Sequence, residues 1–435
     1  MEQPFNQQYQ LAPVVNSLWA ATAPAPIETD RLMGEEEADV IIIGAGIVGL
    51  SMALALQEQG LKSVVVEANE IGWGASGRNN GQVIPGLKLD PDEVIKQLGE
   101  PSGSALVALS GRAPDLVFSL VEKHKIECEA VRHGWIQPAP SKKASAQIQR
   151  RYQQWKRLGA KVEMLPTKGL KERLGTDWYQ SAWLDHRGGS LNPLAYVRGL
   201  AKAAKSAGAR IFTQSPMDRF SQEGNAWLAA GKTGSVKGRY LMICTNAYKQ
   251  HFHPPLLRSI VPVRTAQIAS EVLTKNQWQA ILPAGEAASD SSNLLTSFRI
   301  TQDKRLVMGG AYATGGDETE LLFEKLKAAA KNRFPWLGSI KWDYQWSGYL
   351  AITDSHLPHI FKLGEGCYAP IGCNGRGIAM STQLGTLLAN KIANNALEQS
   401  VVPLSGPQPI AFHGFRNIGI TTTVLWNQFL DKVEK

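Results

Sequence analysis

"ADVIIIGAGIVGLSMALALQEQG", residues 38–60, changes its pattern at its glycines. Val40 to Ile43 is a short β-branched run ended by glycine, the composition of a buried strand. From Ile47 the chain is rich in Leu, Met and Ala over a helical length, and Gly60 stands where a helix C-cap falls. Taken as one helix, Val40 to Gln57 would nearly span a bilayer. The glycine triplet after the β-branched run favours strand, turn and helix instead, so no transmembrane segment is expected. "LKSVVVEANE" adds a second strand ending at Glu67, which completes a βαβ unit.

The turn is Gly44-Ala45-Gly46-Ile47-Val48-Gly49. Gly44 permits the tight bend, Gly46 lets a pyrophosphate approach the backbone, and Gly49 lets the helix pack on the strand. A phosphate there meets unpaired N–H groups at the positive end of a helix. Glu67, eighteen residues after Gly49 and followed by Ala68, is placed to accept hydrogen bonds from ribose hydroxyls. These features together imply a dinucleotide site, with NAD and FAD both open.

"GWGASGRNNGQVIPG", residues 72–86, separates them. An NAD site has no use for a second glycine-rich loop straight after the ribose carboxylate. An isoalloxazine ring does: backbone N–H groups hold its pyrimidine edge, and a nearby cation favours its reduced, anionic state. Ser76, Gly77, Arg78, Asn79, Asn80, Gly81 and Gln82 are the candidates, with Arg78 as the cation. A third such turn, "IGCNGRGIAM" (371–380), opens a long helix near the C-terminus. It offers Gly372, Asn374, Gly375, Arg376, Gly377 and Ile378 to a flavin carbonyl or an anionic group.

Composition fits an enzyme. The chain has 435 residues, 43% hydrophobic and 19% charged, room for two or three globular domains. Its net charge of +8 is scattered along the chain rather than gathered in one basic arm, and no aromatic-and-basic platform accompanies it. Nucleic acid is therefore excluded as a partner. Four cysteines without CxxC spacing suit a reducing compartment. The first thirty residues lack a signal-peptide pattern and read as an irregular Ala- and Pro-rich lead-in. A cytoplasmic enzyme is expected, and "GFRNIGITTTVLWNQFL" (414–430) leaves open a peripheral contact with the inner membrane. His251 with His253, and His356 with His359, lack a third ligand in view, so no metal is expected. The oligomeric state is not legible.

The fold class is α/β: a Rossmann-like FAD-binding domain assembled from discontinuous segments, plus an α+β substrate domain with a mixed or antiparallel sheet. The boundaries are 1–37 for the lead-in, then 38–88, 190–248 and 355–400 for the FAD-binding domain. Residues 89–189 and 249–354 form the substrate domain, and 401–435 a C-terminal extension.

Several further pieces carry a resemblance: "SLWAATA", "VVVEANEIGWGASGRNNGQV", "LDHRGGSLNPLAYV", "TNAY", "FRITQDKRLVMGG" and "YQWSGYLAITDSHLP". Together with the glycine turns they make almost the whole chain similar to the D-amino-acid-oxidase-like family of FAD-dependent oxidoreductases. Within it, the likeness is to the bacterial γ-glutamylputrescine-oxidising type. The resemblance implies bound FAD and oxidation of a carbon–nitrogen bond by hydride transfer to flavin N5. The imine is then hydrolysed, and O2 or a quinone reoxidises the flavin. It also implies that Met217, Thr245, Asn246 and Gly348 join the cofactor-binding residues. Gln267, Arg264 and Tyr349 would reach the substrate, and Trp346 would wall the pocket beside Arg78 and Arg376.

Two departures bear on the substrate. Where amino-acid-oxidising members carry Gly-x-Arg-Pro, this chain reads Gly348-Tyr349-Leu350-Ala351. Where sarcosine oxidases carry a lysine after Gly-His-Gly, it reads Gly375-Arg376-Gly377-Ile378-Ala379. The expected substrate is thus an amine. The alternative is a secondary or cyclic amino acid, sarcosine- or pipecolate-like, with Arg376 or Arg299 on its carboxylate. A flavin-bearing subunit without turnover of its own is the non-catalytic alternative. "YQWSGY" has no cysteine where sarcosine oxidases attach their flavin, so the FAD is expected to be noncovalent.

Overall fold

The strand Gly34–Ile43 lies inside a nine-stranded sheet, parallel to Ser63–Val66 on one side and to Gly234–Ile243 on the other. In the computed structural model, which describes residues 13–248, 253–313, 319–411, 413–415, 419, 422 and 426, only its last four residues are fully buried. Those four, Val40–Ile43, are the β-branched run, covered on both faces as a parallel sheet requires. Register then sets where the strands stop. Ile43 pairs with Val66 and with Ile243, so three strands end level, and Gly44, Glu67 and Cys244 emerge together at the carboxyl edge. Ligands of open α/β sheets bind at such an edge.

The helix Ile47–Gln57 is apolar on nearly every side because it is buried on nearly every side. It packs against Pro193–Ser206 and Gly377–Ala393. The second contact is backbone to backbone: a Cβ on Gly385 would lie 2.4 Å from the Val48 carbonyl oxygen. Arg210–Phe212 and Cys367–Ile371 extend the sheet in parallel, and His359–Gly364 runs antiparallel to the latter. Leu404–Ser405, beyond residue 400, pairs with His359–Gly364 as the edge strand.

The second sheet has eight strands. Their order is Trp342–Ile352, Val261–Val272, Arg305–Ala313, Thr296–Ile300, Ala287–Ser289, Trp135–Ala139, Ser181–Asp185 and Val162–Leu165. Every pair is antiparallel except Ala287–Ser289 with Trp135–Ala139. Thr319–Arg333 covers one region of it. The basic helix Lys142–Arg157 buries Ile148, Arg151, Tyr152 and Trp155 and turns its remaining charge to water. Ser102–Lys123 is long and apolar enough to cross a membrane, yet its Leu106, Val107, Ala113 and Val117 are buried, and it packs on Gly377–Ala393.

The lead-in is not irregular throughout. Leu18–Thr22 is a helix capped by Ser17, whose hydroxyl accepts from the Ala20 N–H at 3.2 Å. Trp19 is buried, edge-on to Trp346 at 5.6 Å and beneath the Arg299 guanidinium at 4.8 Å. An aromatic ring between those partners organises the segment, whatever its alanines and prolines suggest. His251 and most of 414–430, with the membrane contact considered there, lie outside the described residues.

Trp19→Ala should destabilise the apoprotein by about 3–5 kcal/mol, the usual cost of deleting a buried large aromatic ring. Urea unfolding followed by circular dichroism measures this, and a loss below about 1 kcal/mol would mean that the lead-in is not part of the core.

Candidate active site

A cavity of about 610 Å³ opens at the carboxyl edge of the parallel sheet and continues beneath the second sheet. Gly44, Ala45, Gly46, Ile47, Val48, Glu67 and Ala68 line its nucleotide end, with Met217, Thr245 and Asn246. Ser76, Arg78, Asn79, Asn80, Gly348, Gly372, Asn374, Gly375, Arg376 and Gly377 continue the wall, and Gln267 and Tyr349 complete it from the second sheet.

The nucleotide end has the features a dinucleotide needs. The Gly46 N-cap of Ile47–Gln57 has no side-chain capping bond, and the Ile47 N–H reaches the Ser76 hydroxyl at 3.0 Å. A Cβ on Gly46 would stand 2.8 Å from that hydroxyl and close the approach. Glu67 accepts from the N–H groups of Ala45 at 2.8 Å and Asn69 at 3.0 Å, one on each oxygen, which leaves lone pairs for hydroxyl donors. Burial raises its pKa above the ordinary 4.5, and the N–H groups of Asn69, Ala45 and Ala68 pull against that rise.

Arg78 ends the short helix Ala75–Arg78 and is locked from several sides. Its Nε donates to the Trp73 carbonyl at 2.7 Å and its Nη1 to the Ser347 carbonyl at 3.3 Å, while the guanidinium lies 4.4 Å over the Trp73 ring. Tyr248 stands edge-on to Trp73 and to Tyr349, and its hydroxyl accepts from the Tyr349 N–H at 2.9 Å. A Cβ at Gly348 would sit 3.2 Å from the Arg78 side chain and 3.1 Å from the Tyr248 hydroxyl, so any other residue would crowd both. Tyr349 is tied through its hydroxyl to Arg264 at 3.0 Å. Asn374, at φ +48°, donates to the Gly372 carbonyl at 2.6 Å and accepts from the Thr353 N–H at 3.0 Å. Its side chain therefore shapes the turn, and backbone faces the cavity.

Gln267 is buried and its Oε1 has no hydrogen-bond partner among the described residues. An unpaired buried carbonyl oxygen carries a desolvation cost.

Seven expected site residues, besides Arg264, stand behind the wall instead of in it. Gly49 and Gly77 are packing positions, where a Cβ would lie 2.2 Å from the Gly44 carbonyl oxygen and 2.3 Å from that of Gly72. The Gly81 and Gln82 N–H groups are taken by the Asn79 and Asn80 side chains, so they fasten the loop and cannot hold a ring. Ile378 is buried in the first turn of its helix. Trp346, 1% exposed, gives its indole N–H to the Arg78 carbonyl at 2.9 Å and walls no pocket. Arg299 donates to the carbonyls of Asn80 at 3.1 Å and Leu191 at 2.8 Å, so it holds backbone from behind the cavity wall. Residues missed in the sequence include Trp73, Lys88, Gln137, Arg151, Tyr248 and Asp290, all in the wall. Of these, Tyr248 closes the motif "TNAY" and so had a signal in the sequence.

Cys373 and Cys244 also line the cavity as free thiols whose pKa burial raises. Among the described residues no group of three His, Cys, Asp or Glu side chains could hold a metal.

A level-ended parallel sheet, a helix N-terminus, a carboxylate at a strand end and a caged arginine meet beneath a second sheet, and the comparisons make the protein a flavin-dependent oxidoreductase of amines or amino acids. The chain belongs to the DAO family of FAD-dependent oxidoreductases, whose family model matches residues 39–391. It is 30% identical over 383 residues to gamma-glutamylputrescine oxidoreductase of Escherichia coli K12, covering 88% of this chain and 89% of that protein. Glycine oxidase from Geobacillus kaustophilus superposes with a TM-score of 0.69 at 20% identity, over 83% of this chain and 95% of the other. L-proline dehydrogenase from P. horikoshii does so with 0.70 at 18%, over 84% and 96%.

FAD affinity should fall as pH drops through the raised pKa of Glu67, because protonation removes an acceptor for the ribose. A bond to a charged acceptor contributes about 1.5–3 kcal/mol, or roughly ten- to a hundredfold in Kd. Fluorescence titration of the apoprotein with FAD across the acid range measures this, and Glu67→Gln should bind weakly with a flat profile. The apoprotein by itself gains stability over the same window, since the folded state there binds the extra proton. Arg299→Ala should lower the melting temperature and FAD retention, and should leave the ratio of KM values for acidic and neutral amines near that of the wild type.

Proposed function

We propose that this enzyme oxidises the C–N bond of an amine of the γ-glutamylputrescine kind, using noncovalently bound FAD. The observation that carries the reading is the withdrawal of Arg299 into backbone contacts, while Gln267, a neutral side chain, lies in the cavity wall. A carboxylate at the reacting carbon calls for a cationic partner, whereas an amine can be held by neutral hydrogen-bonding groups. The overall likeness to gamma-glutamylputrescine oxidoreductase supports the same reading.

FAD, when bound, supplies the two-electron acceptor for the oxidation. The chain's own residues do the rest. Gln267 and Tyr349 orient the amine, and Arg78 holds a fixed positive charge that favours an electron-rich ring. Trp73, Tyr248 and Tyr349 keep that charge in place and restrict water around it. No side-chain base is required if the amine binds in its neutral form.

The test is anaerobic titration of the yellow enzyme with γ-glutamylputrescine, putrescine, sarcosine, pipecolate and proline. Bleaching by the acylated diamine at concentrations at least about tenfold below the amino acids is expected. Bleaching by an amino acid alone would return the secondary-amino-acid reading, and bleaching by none would return the subunit reading.

A further inference from the structure

Asp290 is fully buried, yet it lies at the cavity, directly after the strand Ala287–Ser289. Side chains alternate between the two faces of a sheet. Gln267, Ser289 and Ser297 line the cavity. Ile268 and Phe298, one residue further on, pack on the far face with Leu322, Leu326 and Ala330 of the helix Thr319–Arg333. Asp290 follows Ser289 and likewise reaches through to the far face, where Arg333 and Tyr179 meet it.

The two carboxylate oxygens have different tasks. Oδ2 accepts from Arg333 Nη2 at 2.8 Å and from the Tyr179 hydroxyl at 3.2 Å, and Arg333 Nε donates to that hydroxyl at 2.9 Å. Oδ1 accepts from the N–H groups of Thr296 at 3.0 Å and Ser292 at 3.2 Å. Those two donors stand at opposite ends of the turn 291–295, whose Ser291, Ser292, Asn293 and Leu295 line the cavity. The turn is seated from its sides as well. Ser291 donates to the Pro138 carbonyl through its N–H at 3.0 Å and its hydroxyl at 3.1 Å. A Cβ on Gly310 would lie 2.4 Å from the Leu295 carbonyl oxygen, so the end of the turn rests directly on the strand Arg305–Ala313.

A buried ion pair is a poor source of stability, and an apolar pair of similar volume often serves a core as well. The surroundings would accept one: Tyr179 stacks on Phe298 at 6.2 Å, and Phe334 stands edge-on to Phe298 at 5.4 Å. An apolar pair could not hold two backbone N–H groups of a cavity turn in fixed places. The charges also depend on each other, because removing one leaves its partner buried without compensation. An uncompensated Asp290 would shift toward water, and the turn bonded to it would shift too.

We propose that Arg333 is a positioning residue: acting through Asp290 from the far face of the second sheet, it fixes the turn 291–295 and so sets affinity for a substrate it does not touch. This goes beyond the amine-oxidising reading above and rests on it for the choice of probe. The loop carrying Arg78 is held by other side chains, Trp19, Trp346 and Arg299, so the flavin and the oxidation step do not share this dependence.

Anaerobic stopped-flow reduction of the holoenzyme by γ-glutamylputrescine gives the substrate Kd and the limiting rate, and the fluorescence of FAD released on dilution reports cofactor affinity. Arg333→Met should raise the substrate Kd at least about tenfold, with the limiting rate and FAD affinity within about twofold of wild type. The double variant Asp290→Asn, Arg333→Met removes both charges and keeps an amide oxygen for the Thr296 and Ser292 N–H groups. It should bring the Kd back to within about threefold of wild type, a recovery that only coupled residues show. Leu326→Ala, in the same helix and apolar cluster, should lower the melting temperature and leave the Kd unchanged. If Arg333→Met does not fold, Tyr179→Phe takes its place. It keeps the stack on Phe298, removes one donor to Asp290, and should raise the Kd about threefold at constant limiting rate. A Kd unmoved in the single variant, or not restored in the double one, overturns the inference while the amine reading stands. Loss of FAD in step with loss of substrate affinity overturns it as well, since the pair would then support the whole cavity. Reduction of wild type by sarcosine, pipecolate or proline, and not by γ-glutamylputrescine, overturns the amine reading, and the same comparisons made with that amino acid decide the inference. Reduction by none of them overturns both.

Discussion

Three consecutive carbonyls, those of Arg78, Asn79 and Asn80, each accept a hydrogen bond from a side chain remote in sequence. Trp346 serves the first, Trp19 the second and Arg299 the third. The three donors also touch one another, the two indoles edge to face and the guanidinium over Trp19. The loop they hold begins a few residues after the ribose carboxylate and has little regular structure of its own beyond the four residues Ala75–Arg78. Its shape is therefore imposed from outside. Asn80 and Gln82 add attachments to Ser297, Ala288 and Ser289 on the second sheet. If this clamp loosened, the cavity would lose the wall that carries its fixed charge.

That arrangement explains why the sheet and the cofactor class were legible in the sequence while part of the site was not. Val40–Ile43, Gly44–Gly49 and Glu67 act through local geometry: a β-branched run, positive φ at Gly44, and a carboxylate at a strand end. Such features leave a short-range trace. Arg299 and Trp346 have the residue types of a substrate site, and only their three-dimensional neighbours reveal that they bind backbone. Lys88 carries no motif. The lead-in misled for a related reason, since the composition of 13–30 is that of a linker, while buried Leu18 and Trp19 and bonds to Pro13, Thr22 and Pro24 dock it.

The two sheets divide the labour of the site. The parallel one offers backbone: amides, a helix end, glycines without side chains. The other offers side chains, from Gln267 and Tyr349 at one end to Gln137 and the neighbourhood of Trp135 at the other.

The clamp also orders events in the life of the chain. Trp19 leaves the ribosome early, yet Arg299 and Trp346 are made hundreds of residues later, and the turn at Gly372–Gly377 later still. The nucleotide turn can form while synthesis continues, but the cavity has no closed shape until the C-terminal third has emerged. Until then the lead-in has nowhere to dock, and its buried tryptophan is exposed. Docking of the lead-in therefore waits on contacts made by residues far later in the chain.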